Sequence, residues 1–337
     1  MGLTPMRLIQ FRQSSGARAV GLVTQGGKHV HPLQGFDTVY RLAQAAIDQN
    51  RSLATLVSAA ASDETLDYLA LLHEGRVLPP VDHPEPARFF LTGTGLTHLG
   101  SADARNRMHV ATHGSNAPES DSMKIFRMGL HGGKPGPGKI GVQPEWFYKG
   151  IGTAVVAPGA PLPLPGFALA GAEEPEIVGL YLVDGNGRPR RIGFTLGNEF
   201  SDHVTEAQNY LYTQHSKLRA CSLGPELLIG ELPQDIRGKS RILRDGKVIW
   251  EEDVLSGEAN MSHSIANLEH FHFRYPMFRR PGDLHAYFMG AAVLSYAAGV
   301  KTQPGDEFEI DVPVFGQPLR NRMELVPDEG FVAVSPL

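Results

Sequence analysis

Apolar and polar residues alternate with a period of two along many short stretches of this chain, a period that predicts strands with one buried face. The first is Met6-Arg7-Leu8-Ile9-Gln10-Phe11. Residues 19–23 and 28–33 flank Thr24-Gln25-Gly26-Gly27, whose glycines predict a hairpin turn. The period lengthens to that of a helix over residues 38–47, Ser52 opens a second helical stretch, and residues 64–73 support a third. Pro79, Pro80, Pro84 and Pro86 punctuate the connector that follows, which places a boundary near it. The chain then divides into a small N-terminal α+β domain, residues 1–85, and a larger, mainly β domain, residues 86–337.

The larger part is organised around residues 173–203. Two β-rich runs flank Asp184-Gly185-Asn186-Gly187, so this stretch predicts a second hairpin. Strand side chains alternate faces, so Glu174 and Glu176 point the same way. Like charges side by side on one face repel unless something neutralises them. Glu199, near the end of the returning strand, can reach the same end of the sheet. Three converging carboxylates suit a hard divalent cation such as Mg²⁺, with Mn²⁺ or Ca²⁺ as the other oxygen-seeking choices. Beyond the hairpin, Ser201 or Asp202 caps a predicted helix running to about residue 215, and Lys217 follows it. Ser262 caps another to about residue 274. Asp245-Gly246 turns a hairpin over residues 241–250, and Asp306, Glu307, Glu309 and Asp311 mark a late strand whose acids are expected to face solvent.

Composition narrows the classes. Of 337 residues, 42% are apolar, enough to bury a sizeable core. The net charge of −5 leaves no electrostatic footprint for nucleic acid. A single cysteine, Cys221, excludes an internal disulfide and a cysteine-rich zinc site and fits a reducing compartment. Residues 1–6 lack the cationic start and apolar core of a signal peptide, and the apolar run over residues 286–300 is too short and too glycine-broken to span a membrane. A soluble cytoplasmic protein is expected.

Several motifs carry candidate chemistry. Residues 88–93 form a strand entering Thr94-Gly95-Leu96-Thr97-His98, which places His98 just past a strand end as a candidate acid–base group. A dinucleotide fingerprint would need glycine where His98 stands. His131-Gly132-Gly133-Lys134-Pro135-Gly136-Pro137-Gly138-Lys139-Ile140 has phosphate-loop spacing, but Ile140 replaces the Mg²⁺-binding hydroxyl and two prolines remove N–H donors. Its glycines suit a mobile lid instead. His270 and His272 point apart on a helix and make a poor metal pair. Lys149 ends the short strand pattern that starts at Pro144.

From about residue 89 to 320 the chain resembles the fumarylacetoacetate hydrolase family. The order of motifs carries the resemblance: Gly93 with His98, Pro144 to Lys149, Glu174 with Glu176, Gly193-Phe194-Thr195 with Glu199, and Lys217 before Leu223-Gly224-Pro225. It implies a twisted β-roll with a small N-terminal domain, usually a homodimer. It also implies a metal held by Glu174, Glu176 and Glu199, and substrate contact by Lys217. Lys149, which like Lys217 lies beyond a motif expected to converge on the metal, is expected as its companion. There are departures. Glu199 follows Asn198 where aspartate is usual, Leu96-Thr97-His98-Leu99-Gly100 replaces a Tyr-x-x-His-x-x-Glu pattern, and Gly290-Ala291-Ala292 replaces Gly-Thr-Pro. Gly93-Thr94-Gly95-Leu96-Thr97-His98 together with Asn198-Glu199-Phe200-Ser201-Asp202-His203 looks more like the bacterial branch that includes dehydratases of 2-keto-3-deoxy sugar acids. The function this implies is metal-dependent dehydration of a 2-keto-3-deoxy pentonate, such as the D-arabinonate derivative, to a 2,5-dioxo acid. The alternative is hydrolysis of a carbon–carbon bond in a 2,4-diketo acid.

Overall fold

The computed structural model describes residues 6–100 and 121–337. Most of the N-terminal residues weighed above for a leader therefore lie outside the described part. Among the described residues no helix is long and apolar enough to cross a membrane. The first strands are β1 (Met6–Arg12), β2 (Arg18–Val23), β3 (His29–Pro32), β4 (Leu66–Asp67), β5 (Val77–Leu78) and β6 (Phe89–Gly93). Next come β7 (Phe147–Ile151), β8 (Val155–Val156), β9 (Leu162–Pro165), β10 (Pro175–Val183), β11 (Pro189–Asn198), β12 (Cys221–Leu223) and β13 (Leu227–Ile229). The last are β14 (Ile236–Arg244), β15 (Lys247–Ser256), β16 (Leu284–Phe288), β17 (Glu307–Asp311) and β18 (Leu319–Val326).

They form two sheets. The larger runs β4-β3-β2-β1-β13-β11-β10-β16-β6-β7, with β5, β8 and β12 attached beside this path; the smaller runs β15-β14-β17-β18-β9. Strand β10 lies at the centre and all nine of its residues are buried, as a run rich in Ile, Val, Leu and Tyr requires when both faces are covered. On one face Val178, Leu180 and Leu182 pack with Leu227, Leu284, Leu8, Val20, Val39 and Leu42. On the other, Ile177 and Tyr181 pack with Phe194, Leu268, Tyr287 and Ile310. The N-terminal segment thus shares both sheet and core with the rest: β1 pairs with β13, Leu8 opposite Leu227, and neither breaks near residue 85.

The helices are α1 (Val39–Asp48), α2 (Leu53–Ala60), α3 (Tyr68–His73), α4 (Asp121–Gly132), α5 (His203–Gln208), α6 (Thr213–Lys217) and α7 (Ile265–Phe273). Thr38, Ser52 and Asp67 cap the first three through their side-chain oxygens. Three expectations are corrected. The helix expected from residue 201 to 215 is two short helices, because Asn209 is extended (φ −162°, ψ 135°) and stops α5. The helix capped at Ser262 starts later, with Ser264 accepting the Asn267 amide at 3.2 Å. The late strand's acids do not all face solvent. Arg244 reaches Asp306 at 2.8 Å, Arg241 and Arg320 reach Glu309 at 2.5 and 2.6 Å, and both acids are buried. The stretch read as a lid is fastened near its start by Ser264 N–H to the Gly133 carbonyl (2.9 Å), and Asn267 Oδ1 accepts the Gly141 amide just beyond it (2.9 Å).

Candidate active site

Strand pairing assembles the acids. β10 and β11 are antiparallel, with Pro175 opposite Asn198 and Glu176 opposite Gly197, so Glu174 and Glu199 fall at the same end of the hairpin. One oxygen from each of Glu174, Glu176 and Glu199 lies within 4.8 Å of the other two, and all three residues are buried. The backbone around them is fixed: the Glu199 amide donates to the Glu174 carbonyl at 2.9 Å, and the Glu174 amide donates to Asn198 Oδ1 at 3.2 Å. The glutamate at 199 joins the cluster, so its longer side chain fits where the resemblance led one to expect aspartate.

Two lysines contact the acids. Lys217 Nζ donates to Glu174 Oε1 and, at 2.9 Å, to Glu199 Oε2. Its ammonium lies 5.0 Å from the centre of the Phe147 ring. Lys149 Nζ lies 3.0 Å from Glu199 Oε1 and donates to the carbonyls of Phe200 (2.9 Å) and Lys217 (3.1 Å). His203 Nε2 meets Glu174 Oε1 at 3.1 Å and its ring stacks on Tyr296. Glu176 is treated differently: Oε2 accepts the Gly290 amide at 2.7 Å, while the buried Oε1 has no hydrogen-bond partner among the described residues.

These contacts set the charges apart. Burial pushes all three carboxyls up. For Glu174 the charges of Lys217 and His203 outweigh burial and hold the carboxyl well below the usual range. For Glu176 burial is reinforced by the charges of Glu199 and Glu174, and its carboxyl stands well above that range. Glu199 remains raised by burial despite Lys149 and Lys217. Burial lowers Lys217, but Glu174, Glu199 and Glu206 more than offset it, so the ammonium form is held strongly.

The donor set fits a divalent cation. It offers three hard oxygen ligands, an orphaned buried carboxylate oxygen on Glu176, and mutual repulsion that a positive ion relieves. Glu174 and Lys217 open onto a small cleft that is also lined by Gly95, Leu96, Glu145, Phe147, Glu206, Thr213, Ala291 and Leu294. Two larger cavities, of about 480 and 430 Å³, lie elsewhere and contain none of the three acids.

Five of the six residues singled out from sequence are therefore brought together: Glu174, Glu199, Lys149 and Lys217 by direct contacts, and Glu176 with an oxygen within 4.8 Å of oxygens of the other two acids. Lys149 is buried behind the acids and is not among the residues lining the cleft. His98 does not line it either. Its Nε2 bonds Ser256 Oγ at 2.7 Å, its Nδ1 lies 3.1 Å from Thr97 Oγ1, and burial pushes the imidazole down to about 4. Sequence reasoning passed over Glu145 and Glu206, which do line the cleft. The only signal for Glu145 was its place beside Pro144 in the strand motif; for Glu206, its place early in a capped helix.

No family model matches the chain. A Haloferax volcanii protein named as a probable 2-keto-3-deoxyxylonate dehydratase is 31% identical over 121 residues, 34% of this chain and 40% of that protein. A 2-dehydro-3-deoxy-D-arabinonate dehydratase of Saccharolobus solfataricus is 26% identical over 201 residues, 56% of this chain and 58% of that protein. The chain thus matches less than two thirds of the length of either relative. Among solved structures, the apo form of 2-keto-3-deoxy-D-arabinonate dehydratase superposes with a TM-score of 0.69 at 19% identity, over 95% of this chain and 99% of that one. The same enzyme complexed with magnesium and 2,5-dioxopentanoate gives 0.68 at 18%, over 96% and 100%. A 5-carboxymethyl-2-hydroxymuconate delta-isomerase from Mycobacterium smegmatis gives 0.57 at 16%, over 95% and 100%. The chain has the fold of these enzymes, and the resemblance drawn from its motifs is found again in its named relatives.

Proposed function

We propose that this chain is a hydro-lyase, dependent on Mg²⁺ or a similar divalent ion, that dehydrates a 2-keto-3-deoxy sugar acid, with a pentonate of the D-arabinonate series as the substrate class. The observation that carries the reading is the buried Glu174–Glu176–Glu199 set, with its unpartnered oxygen, beside a cleft that Lys217 enters. The names of the similar dehydratases support it.

Glu174, Glu176 and Glu199 would hold the ion, which when bound supplies Lewis-acid polarisation of a 2-keto oxygen. The chain's own groups do the rest. The Lys217 ammonium stabilises negative charge that develops on the keto oxygen as the C3 proton leaves. Glu145, on the strand side of the cleft, is the proposed base for that proton. Lys149 keeps Glu199 and the Lys217 backbone in place through its three contacts. His98 is assigned a supporting role, tying the loop after β6 to Ser256. A homodimer goes with this reading; an apolar cavity at Trp146, Phe271, Tyr275, Met277 and Phe278, with Met277 71% exposed, is one surface that a second copy would cover. The proposed setting is the cytoplasm.

Purified protein with Mg²⁺ should convert 2-keto-3-deoxy-D-arabinonate to a product lighter by one water, read by mass spectrometry, and chelator should stop it. Two carbonyl fragments from a 2,4-diketo acid, with the sugar acid untouched, would establish carbon–carbon hydrolysis instead.

A further inference from the structure

Reaching a 2,5-dioxo acid from a 2-keto-3-deoxy pentonate takes more than loss of water. Removing the C3 proton and the C4 hydroxyl leaves a conjugated enone whose C5 still carries two hydrogens and a hydroxyl. To become an aldehyde, C5 must lose one of those hydrogens as a proton. Its bond pair then forms C4=C5, the C3=C4 pair moves to C2=C3, and the C2 oxygen takes the charge. A proton returns at C3, and the remaining C4=C5 enol gains a proton at C4 and loses the one on its oxygen. Protons leave C5 and O5 and arrive at C3 and C4, so no redox partner is needed. A second base is needed, placed to reach C5 while the first serves C3.

Two carboxylates besides Glu174 line the cleft, and they come from different segments, Glu145 from the chain just before β7 and Glu206 from α5. Glu145 stands with Gly95 and Phe147 on the strand side, so close to Gly95 that a Cβ there would lie 2.0 Å from Glu145 Oε2. Glu206 is on α5, and Thr213 opens α6, the short helix that ends at Lys217. Its helix, α5, is firmly placed: Asp202 caps it by accepting the Thr205 amide at 3.0 Å, and is itself held by the Leu169 amide (3.0 Å) and Arg219 Nη2 (3.1 Å). The charge of Glu206 helps hold Lys217 as the ammonium.

We propose that Glu206 is the base that removes the C5 proton after water has left, dividing the proton transfers between two carboxylates that line one cleft. The proposal rests on the dehydratase reading above. Glu206 is then a catalytic residue for the isomerising half of the reaction alone.

The test uses Glu206→Gln, wild type, Mg²⁺, and both the sugar acid and the synthetic enone, 5-hydroxy-2-oxopent-3-enoate. In the variant, exchange of C3 hydrogen with D₂O, read by NMR, should continue within a few-fold of wild type. Formation of the dioxo acid should fall by about 100-fold or more, the usual scale for losing a general base. The enone should accumulate, visible by its near-ultraviolet absorbance, and the variant should fail to isomerise added enone that wild type converts. A variant that makes the dioxo acid at the wild-type rate overturns the proposal. So does one, folded by circular dichroism, that loses C3 exchange and product together, since Glu206 would then serve Lys217 or the first half. If wild type converts the enone but not the sugar acid, and the variant converts neither, the dehydratase reading falls while the role of Glu206 stands. Wild type inert to both overturns both.

Discussion

At the scale of single residues, the site is a charge balance held out of water. Three buried carboxylates face two buried lysines, and burial of ions is tolerated only when partners are in place. Lys217 and Glu176 sit on opposite sides of that balance. Lys217→Met leaves Glu174 and Glu199 without their shared cation, so in chelator it should lose about 3–5 kcal/mol of stability, the cost of breaking a buried pair. Added Mg²⁺ should recover part of that loss, because the ion supplies the missing positive charge. Glu176→Gln removes a repelled charge and a ligand together. Its stability in chelator should stay much closer to wild type, and the rise in melting temperature that Mg²⁺ gives wild type should vanish. Thermal melts with and without Mg²⁺ check both signs. An Mg²⁺-induced rise of wild-type size in Glu176→Gln would remove the triad as the site.

At the scale of elements, what was legible from sequence is what local chemistry dictates. The β10–β11 hairpin was readable because an apolar run, a Gly- and Asp-rich turn and a second apolar run have no other compact solution. The same-face placement of Glu174 and Glu176 follows from strand alternation alone. The break between α5 and α6 was not readable, because Asn209 has no strong propensity of its own and tertiary packing decides its extended backbone. The burial of Asp306 and Glu309 was hidden for another reason: their arginine partners Arg244 and Arg241 are 62 and 68 residues away in sequence. Glu145 and Glu206 carry no pattern, and only the fold brings them to the cleft.

The loop after β16 is where backbone geometry reaches the triad. Gly290 has φ +93°, and a Cβ there would lie 2.3 Å from Thr97 Oγ1 and 2.6 Å from the Gly95 carbonyl. Its amide is the one donor to Glu176 Oε2 among the described contacts. Gly290→Ala should cost about 1–3 kcal/mol for the strained backbone and more for the clash. It should also weaken Mg²⁺ binding roughly 10- to 100-fold by turning that amide away, the usual effect of a lost supporting hydrogen bond. Gly35→Ala is the control: φ is +81° there too, but a Cβ would meet nothing within 4 Å. It should show the backbone cost with normal Mg²⁺ affinity by calorimetry. Equal loss of affinity in both would mean that the Gly290 amide does not matter to the ion.

At the scale of the whole molecule, one sheet and one continuous core join the N-terminal segment to the strands that carry the acids, so local changes are read out in global stability. Buried histidines make that readout pH-dependent. Trp146 Nε1 donates to His272 Nδ1 at 3.3 Å, and His272 Nε2 contacts His285 Nδ1 at 3.1 Å. With Nδ1 accepting, His272 is neutral, and a proton there would set donor against donor. Burial pushes His272 well below the ordinary histidine value of 6.5, and the neighbouring His285 adds to this. The unfolded chain takes up a proton near 6.5 and the native protein does not, so the native state loses stability as pH falls below that value. His272→Phe removes this one titration while the other buried groups remain. The stability advantage of wild type over the variant, measured by urea unfolding, should therefore be constant above pH 7. Below pH 6 it should shrink by about 1.4 kcal/mol per pH unit, the slope for one proton. A difference that stays flat down to pH 5 would show that His272 takes up its proton equally in both states. The Trp146–His272–His285 chain would then not be the acid-sensitive point of the core.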